Sequence, residues 1–439
     1  MTTTNLTPAR FLFTTWEGGG NLPPVLTVVA KLTRLGHAVR VMGDRVNREA
    51  AEAVGAEFIP WTRAPNRSDR SRASDLFRDW EATSPQDGVL RMFDGMMFGP
   101  ALAYAQDVLA ELARAPADLV VSSEMLFGVM AACESVGQKL ALLTANLSLF
   151  PLPGVPPFGP GLPIAQTDAE RALHAQIAAG NTDLFDQGRP ALNAARQALG
   201  LTALYHVFDQ VKTADALLLG TSRAFDFPAE HLPDYIRYVG PQLGEPLWAA
   251  SWTSPWPQTD QRPLVAVAFS TTFQNHAGVL QAVSDALSTL PVRGLVTLAG
   301  IDPAEVRASD NVVLVSSAPH DAVMREAAVV ITHGGHGTVM RALAHRKPLL
   351  IIPHGRDQND NAVRVSARGA GLVLTPGAGP QEIASAVRRL LDDDSFSQAA
   401  VRLGTAVAEE AAHSRVVAEL ESLAAKTASR SSLLQFAWA

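Results

Sequence analysis

Between Thr332 and Gly371 the sequence THGGHGTVMRALAHRKPLLIIPHGRDQNDNAVRVSARGAG sets out two polar clusters at a spacing that suits chemistry. The apolar run AVVIT reads as a strand that delivers His333 to its carboxyl end. Gly334, Gly335, His336 and Gly337 follow as a turn, from which Thr338 is expected to open a helix. Ligands of open parallel sheets bind beyond the carboxyl ends of strands. A helix N-terminus points its N–H groups at an anionic phosphate, and glycines let the backbone come close. His333 and Thr338 add side-chain donors. A second strand, LLIIP, ends in His354, Gly355, Arg356, Asp357 and Gln358. Asp357 and Gln358 are suited to accept from and donate to sugar hydroxyls. A tight strand–helix turn without a ligand would explain the glycines alone. Two polar clusters at successive strand ends favour a binding site.

The elements that must carry these residues are legible from hydrophobic periodicity. RFLFTT (Arg10–Thr15) is strand-sized and apolar, and after it Leu22, Val25, Leu26, Val29 and Leu32 recur at helical spacing. Pro23 or Pro24 suits the first helical turn. HAVRVMG and AEFIPW continue the alternation, which resumes with ADLVVSS and QKLALLT. Strand and helix in this rhythm indicate a parallel sheet wound with helices. A Pro/Gly-rich loop, Phe150–Pro163, interrupts it. Residues 241–262 read as a linker, with several prolines and Trp248, Trp252 and Trp256 to pack it down. The rhythm then restarts with PLVAVAFS, RGLVTLAG and NVVLVSS. The expected organisation is α/β: one domain over 1–240, the linker, a second domain over 263–420, and a tail over 421–439 whose RSSLLQFAWA packs back.

Bulk properties narrow the partners. A net charge of -7 offers no basic field for a nucleic acid. One cysteine, Cys133, builds neither a disulfide framework nor a Cys-rich metal site. The N-terminal MTTTNLTPAR lacks an apolar signal region, and the longest apolar runs are strand-sized, so a cytoplasmic protein without a membrane span is expected.

HGGHGTVMRALAHRKPLLIIPHGRDQNDNA resembles the donor-binding signature of the nucleotide-sugar-dependent glycosyltransferases that modify natural products, including the macrolide, antibiotic and plant secondary-metabolite enzymes. LPPVLTVVAKLTRLGHAV, APHDAVM and YVGP have family look-alikes too, so the resemblance covers nearly the whole chain. It implies a GT-B architecture: two Rossmann-like domains facing across a cleft, acceptor in the first, nucleotide sugar in the second, and a C-terminal helix crossing back. It implies inverting displacement at the anomeric carbon without a required metal or resident cofactor. The donor is then a UDP- or dTDP-sugar, with His333, Gly335, His336, Gly337 and Thr338 at the diphosphate. Ser270, Thr271 or Thr272 would stand near the phosphates, Ser317, Pro319 and His320 would line the base site, and Asp357 and Gln358 would hold the sugar. A homodimer stays open.

Three departures matter. Arg341 stands where relatives often carry a ribose-binding Glu, and a guanidinium accepts no hydrogen bond. Ser317 replaces a common base-stacking aromatic. Most consequentially, Asn21 falls where many relatives keep the catalytic His, and an amide has no useful basicity. Either a carboxylate, Glu17 or Glu124, is the base, or the acceptor needs little deprotonation. As plain residues either of these two carboxylates alone reads more readily as an exposed loop group. A small apolar acceptor would meet walls drawn from Trp16, Met92, Phe93, Met97, Phe98, Phe127 and Phe150, although these also read as core. A non-catalytic sugar-nucleotide binder and a nucleotide-sugar epimerase are the alternatives.

Overall fold

A computed structural model describes residues 8–18, 20–244, 252–269, 276–299 and 301–425. The first seven apolar runs pair into one sheet: β1 (Arg10–Thr14), β2 (Ala38–Gly43), β3 (Glu57–Pro60), β4 (Leu119–Ser122), β5 (Leu140–Thr144), β6 (Ala216–Leu219) and β7 (Ile236–Tyr238). Their order is β3-β2-β1-β4-β5-β6-β7. The second sheet holds β8 (Leu264–Ala268), β9 (Arg293–Thr297), β10 (Val312–Val315), β11 (Ala327–Thr332), β12 (Leu349–Ile351) and β13 (Gly371–Val373), in the order β10-β9-β8-β11-β12-β13. Every strand pair in both sheets is parallel. Parallel sheets need helices on both faces, which is why the strands are apolar on both sides rather than alternating.

The strand order reverses between β1 and β4, and again between β8 and β11. Such switch points leave a crevice beyond the carboxyl ends, because the flanking connections depart to opposite faces. Glu17 and Glu124 follow β1 and β4; His276 and His333 follow β8 and β11. Topology alone therefore sets the candidate residues at the two crevices.

The last described helix, Val416–Ala425, crosses back. Its Val416, Leu420 and Leu423 are buried in the first sheet's core with Phe11, Phe13 and Val28. Lys139 Nζ donates to the Leu423 and Ala424 carbonyls at 3.2 and 2.9 Å, and His37 Nε2 lies 3.0 Å from Glu421. Trp252 and Trp256 pack against the second domain's core, and Trp252 Nε1 donates to Glu326 at 3.1 Å. Trp248 and the RSSLLQFAWA tail lie outside the described residues.

Candidate functional site

β11 carries His333 to its end, where the residue is 7% exposed. Gly334 then turns with φ +98°. A Cβ there would meet Ile351 Cγ2 at 2.8 Å and the Gln358 carbonyl at 3.1 Å. Only glycine allows this left-handed turn to pack so closely on the next strand end. The helix that follows spans His336–Ala344, with Gly335 in extended conformation as its N-cap. It starts two residues before Thr338, which corrects the expected start: the extended backbone at Gly335 ends the turn, and Val339 N already donates to the Gly335 carbonyl.

The second cluster is bound to the first. Asp357 is the N-cap of the helix Gln358–Ala367. Asn361 Nδ2 donates to Asp357 Oδ2 at 2.8 Å and to the Gly334 carbonyl at 2.9 Å. Gln358, 2% exposed, accepts from His354 N at 2.6 Å. Burial pushes the Asp357 carboxyl up. Asn361 thus ties Asp357 to the backbone at Gly334, one residue after His333.

Other expected donor contacts fall differently. His336 turns to the other domain: its Nε2 lies 2.9 Å from Thr221 Oγ1 and the residue is 3% exposed. Its side chain is committed to the domain interface, which corrects its place among donor contacts. His320 opens the helix His320–Glu326, and burial pushes its imidazole down to about 4. Pro319 is that helix's N-cap and Ser317 is exposed beside it. Gly337 is exposed at the first turn of His336–Ala344. Ser270, Thr271 and Thr272 lie outside the described residues. Arg341 donates to Asp321 at 2.8 Å and to the Gly244 carbonyl at 3.0 Å, so it fastens the linker. Arg356, with φ +57°, forms an ion pair with Asp79 of the first domain.

In the first domain the carboxylates are not exposed loop groups. Glu17 is 5% and Glu124 4% exposed. Arg70 Nη2 donates to Glu17 Oε2 at 3.0 Å. Glu124 accepts from Ser123 Oγ at 3.3 Å, and burial pushes its carboxyl up to about 7. Asn21 is the N-cap of Leu22–Arg34, yet its side chain caps no N–H of that helix.

The expected apolar walls sort sharply. Phe93, Met97, Phe98 and Phe127 are all 2% exposed or less, in one core cluster. The three phenylalanine rings pack edge-on or tilted, with Phe93 and Phe98 centroids 4.9 Å apart and Phe98 and Phe127 centroids 4.7 Å apart. This corrects their assignment to the acceptor: they hold the fold. Trp16 is 3% exposed against Phe77, and Met92 packs on the same core. Phe150 does line open space, a cavity of about 450 Å³ walled also by Phe158, Phe208, Leu152, Asp226 and Arg364. The cavity's mix of aromatic walls and a few polar groups is typical of small-molecule sites.

Sequence reading missed the contact that closes this cavity. Asp360 accepts from Gly159 N at 2.7 Å and Gly161 N at 3.2 Å, clasping the Pro/Gly-rich loop to the helix Gln358–Ala367. Gly161 has φ +71°, and a Cβ there would meet the Asn359 carbonyl at 2.6 Å. Asp357, Asp360 and Arg364 stand at helical spacing i, i+3, i+7, so one helix face runs from the sugar-suited carboxyl into the cavity. One helical turn, about 5.4 Å, separates Asp357 from the clasp. Asp360→Ala strands both loop amides. We expect an acceptor KM raised about tenfold with donor KM unchanged, since bonds to a charged group contribute about 1.5–3 kcal/mol; steady-state kinetics with each substrate varied separately checks it.

Comparisons with known proteins bear on the fold and on part of the sequence. The family profile described as "Erythromycin biosynthesis protein CIII-like, C-terminal domain" matches residues 292–423. The chain is 29% identical over 405 residues to a 4'-demethylrebeccamycin synthase of Lentzea aerocolonigenes, covering 90% of this chain and 94% of that one. It is similar in fold to the calicheamicin glycosyltransferase, with a TM-score of 0.72 and 21% identity over 95% of this chain and 98% of that one. A solved glycosyltransferase in complex with dTDP aligns with a TM-score of 0.63 and 21% identity, over 94% of this chain and 99% of that one. No described helix is long and apolar enough to cross a membrane.

Proposed function

We propose that this chain is a GT-B glycosyltransferase of the kind that modifies macrolides and other antibiotics, and that it transfers a hexose or deoxyhexose from a UDP- or dTDP-sugar to a small apolar acceptor with inversion at the anomeric carbon. What carries the reading is the continuous helix face from Asp357 to Arg364, which joins the donor cluster to the aromatic cavity. The dTDP bound in a structural relative supports a nucleotide donor.

In the reaction the acceptor oxygen forms a bond to the anomeric carbon while the bond to the diphosphate breaks. The acceptor proton passes to Glu124. The diphosphate leaves carrying its negative charge, stabilised by His333 and the N-terminus of His336–Ala344. Protein donors in this way do the electrostatic work of a metal, and turnover should persist in excess chelator. Asp357 and Gln358 orient the sugar hydroxyls.

A panel of UDP- and dTDP-sugars offered with phenols and macrolide aglycones tests the proposal: product and free nucleoside diphosphate should form together for at least one pair. Asn21 favours a second reading, a binder without turnover. Tight nucleotide binding with no product across the panel would establish that reading instead. His333→Ala should weaken donor binding about five- to tenfold, the share of a single hydrogen bond; calorimetry giving an unchanged Kd would remove His333 from the diphosphate.

A further inference from the structure

Three imidazoles meet at the carboxyl ends of neighbouring strands. His276 follows β8, His333 follows β11 and His354 follows β12. The His276 and His354 ring centroids are 4.7 Å apart, and those of His276 and His333 5.7 Å. All three pack around Phe269, at 5.3, 5.9 and 6.1 Å. His276 is 2% exposed, and its buried Nε2 has no hydrogen-bond partner among the described residues. A buried nitrogen left without a partner costs free energy, so this one is set up for something not yet present. His354 keeps Nδ1 2.8 Å from the Ile352 carbonyl. That bond fixes the proton on Nδ1 and leaves Nε2 with a lone pair.

The charged groups near the trio are Arg356 and Asp357. Residues 270–275, Ser-Thr-Thr-Phe-Gln-Asn, add no titratable side chain. In the empty protein, burial and mutual repulsion hold His276 and His333 down to about 3, and burial lowers His354. The trio is therefore neutral near pH 7. An entering diphosphate reverses that balance, because an adjacent negative charge favours the imidazolium form.

We propose that His276, His333 and His354 form a proton-taking cradle: the diphosphate of the nucleotide sugar draws one proton from solvent onto the trio as it binds. This deepens the donor reading above and rests on it. The proton settles on a free imidazole nitrogen, no covalent bond breaks, and the acquired positive charge faces the leaving group. Sequence reading had no signal for His276 as a member, since residues 270–275 stand between it and Phe269 in the chain.

Calorimetric titration with UDP-glucose and dTDP-glucose, in buffers of unlike ionisation heat from about pH 6 to about pH 8, tests this. Their diphosphates do not titrate in that window. We expect uptake of about one proton per donor, and affinity that strengthens about tenfold for each pH unit lowered while uptake lasts. His276→Gln and, at the half-buried site, His354→Gln should each reduce the uptake and flatten the pH dependence, with thermal melts confirming folding. Uridine and thymidine, lacking phosphates, should bind without uptake. Donor binding with no proton taken up would overturn the inference alone. If neither nucleotide sugar binds at any pH, the donor reading falls and takes the inference with it.

Discussion

Glu124→Gln is expected to lower kcat about 100- to 10,000-fold while leaving donor affinity unchanged, the range usual for a positioned general base. Three observations select Glu124 over Glu17. β4, which it follows, lies directly beside β5, whose loop begins the cavity wall, whereas β1 is one strand further away. Each strand step is about 4.8 Å. Glu17 is held by the Arg70 guanidinium at 3.0 Å, so its Oε2 is already engaged in an ion pair. Glu124 is 4% exposed, and burial sets it to about 7, where a base can both exist deprotonated and bind a proton firmly. The base must be ionised, so at saturating donor kcat/KM for the acceptor should rise with pH through about 7 and then level. The same shift works against stability. A carboxyl that keeps its proton to about 7 when folded, but loses it near its ordinary 4.5 when unfolded, takes stability away as pH rises between the two. Glu17→Gln should keep kcat within a few-fold of the parent. Full kcat in Glu124→Gln would remove it as the base.

Arg364→Ala should cost about 3–5 kcal/mol of stability, because it strands a buried carboxylate. Arg364 is 4% and Asp226 2% exposed, and Nε donates to Asp226 Oδ1 at 2.8 Å. Arg364 also donates to the Asp360 carbonyl at 2.9 Å and lies over the Phe227 ring. Tyr238 Oη donates to the other Asp226 oxygen at 2.7 Å. Denaturant unfolding would measure the loss. Replacing both partners together, Arg364→Leu with Asp226→Leu, should recover much of it, since no unpaired charge is left behind. A loss in the single variant no greater than in the double would show that the pair is not what holds the two domains at this point.

The polar cluster at the ends of β11 and β12 was legible because its residues are close in sequence. His333, Asp357 and Gln358 fall within one strand–helix–strand–helix unit, where periodicity fixes which end of each strand they occupy. The aromatic cavity was not, for two physical reasons. Hydrophobicity does not say whether an aromatic also faces a cavity, so Phe98 and Phe150 look alike in sequence; both pack in the same core, and Phe150 in addition lines the cavity. The clasp also joins residues about two hundred positions apart, Gly159 and Asp360, and no local pattern records such a contact. Glu124 was visible only as a carboxylate at a strand end. Its burial, which gives it basic character, comes from packing around it.

The Asp360 clasp bears on how such enzymes exchange their halves. An enzyme whose sugar-side and aglycone-side units met only through a linker would tolerate recombination at the linker. Here a loop of the first unit hangs by two amides from one carboxylate of the second, and its glycine lies too close to Asn359 for any larger residue. A hybrid that took its second half from a parent without Asp at position 360 would release the loop. Residues 158–161 and 359–360 therefore form a heritable pair, and a working hybrid must inherit both from the same ancestor.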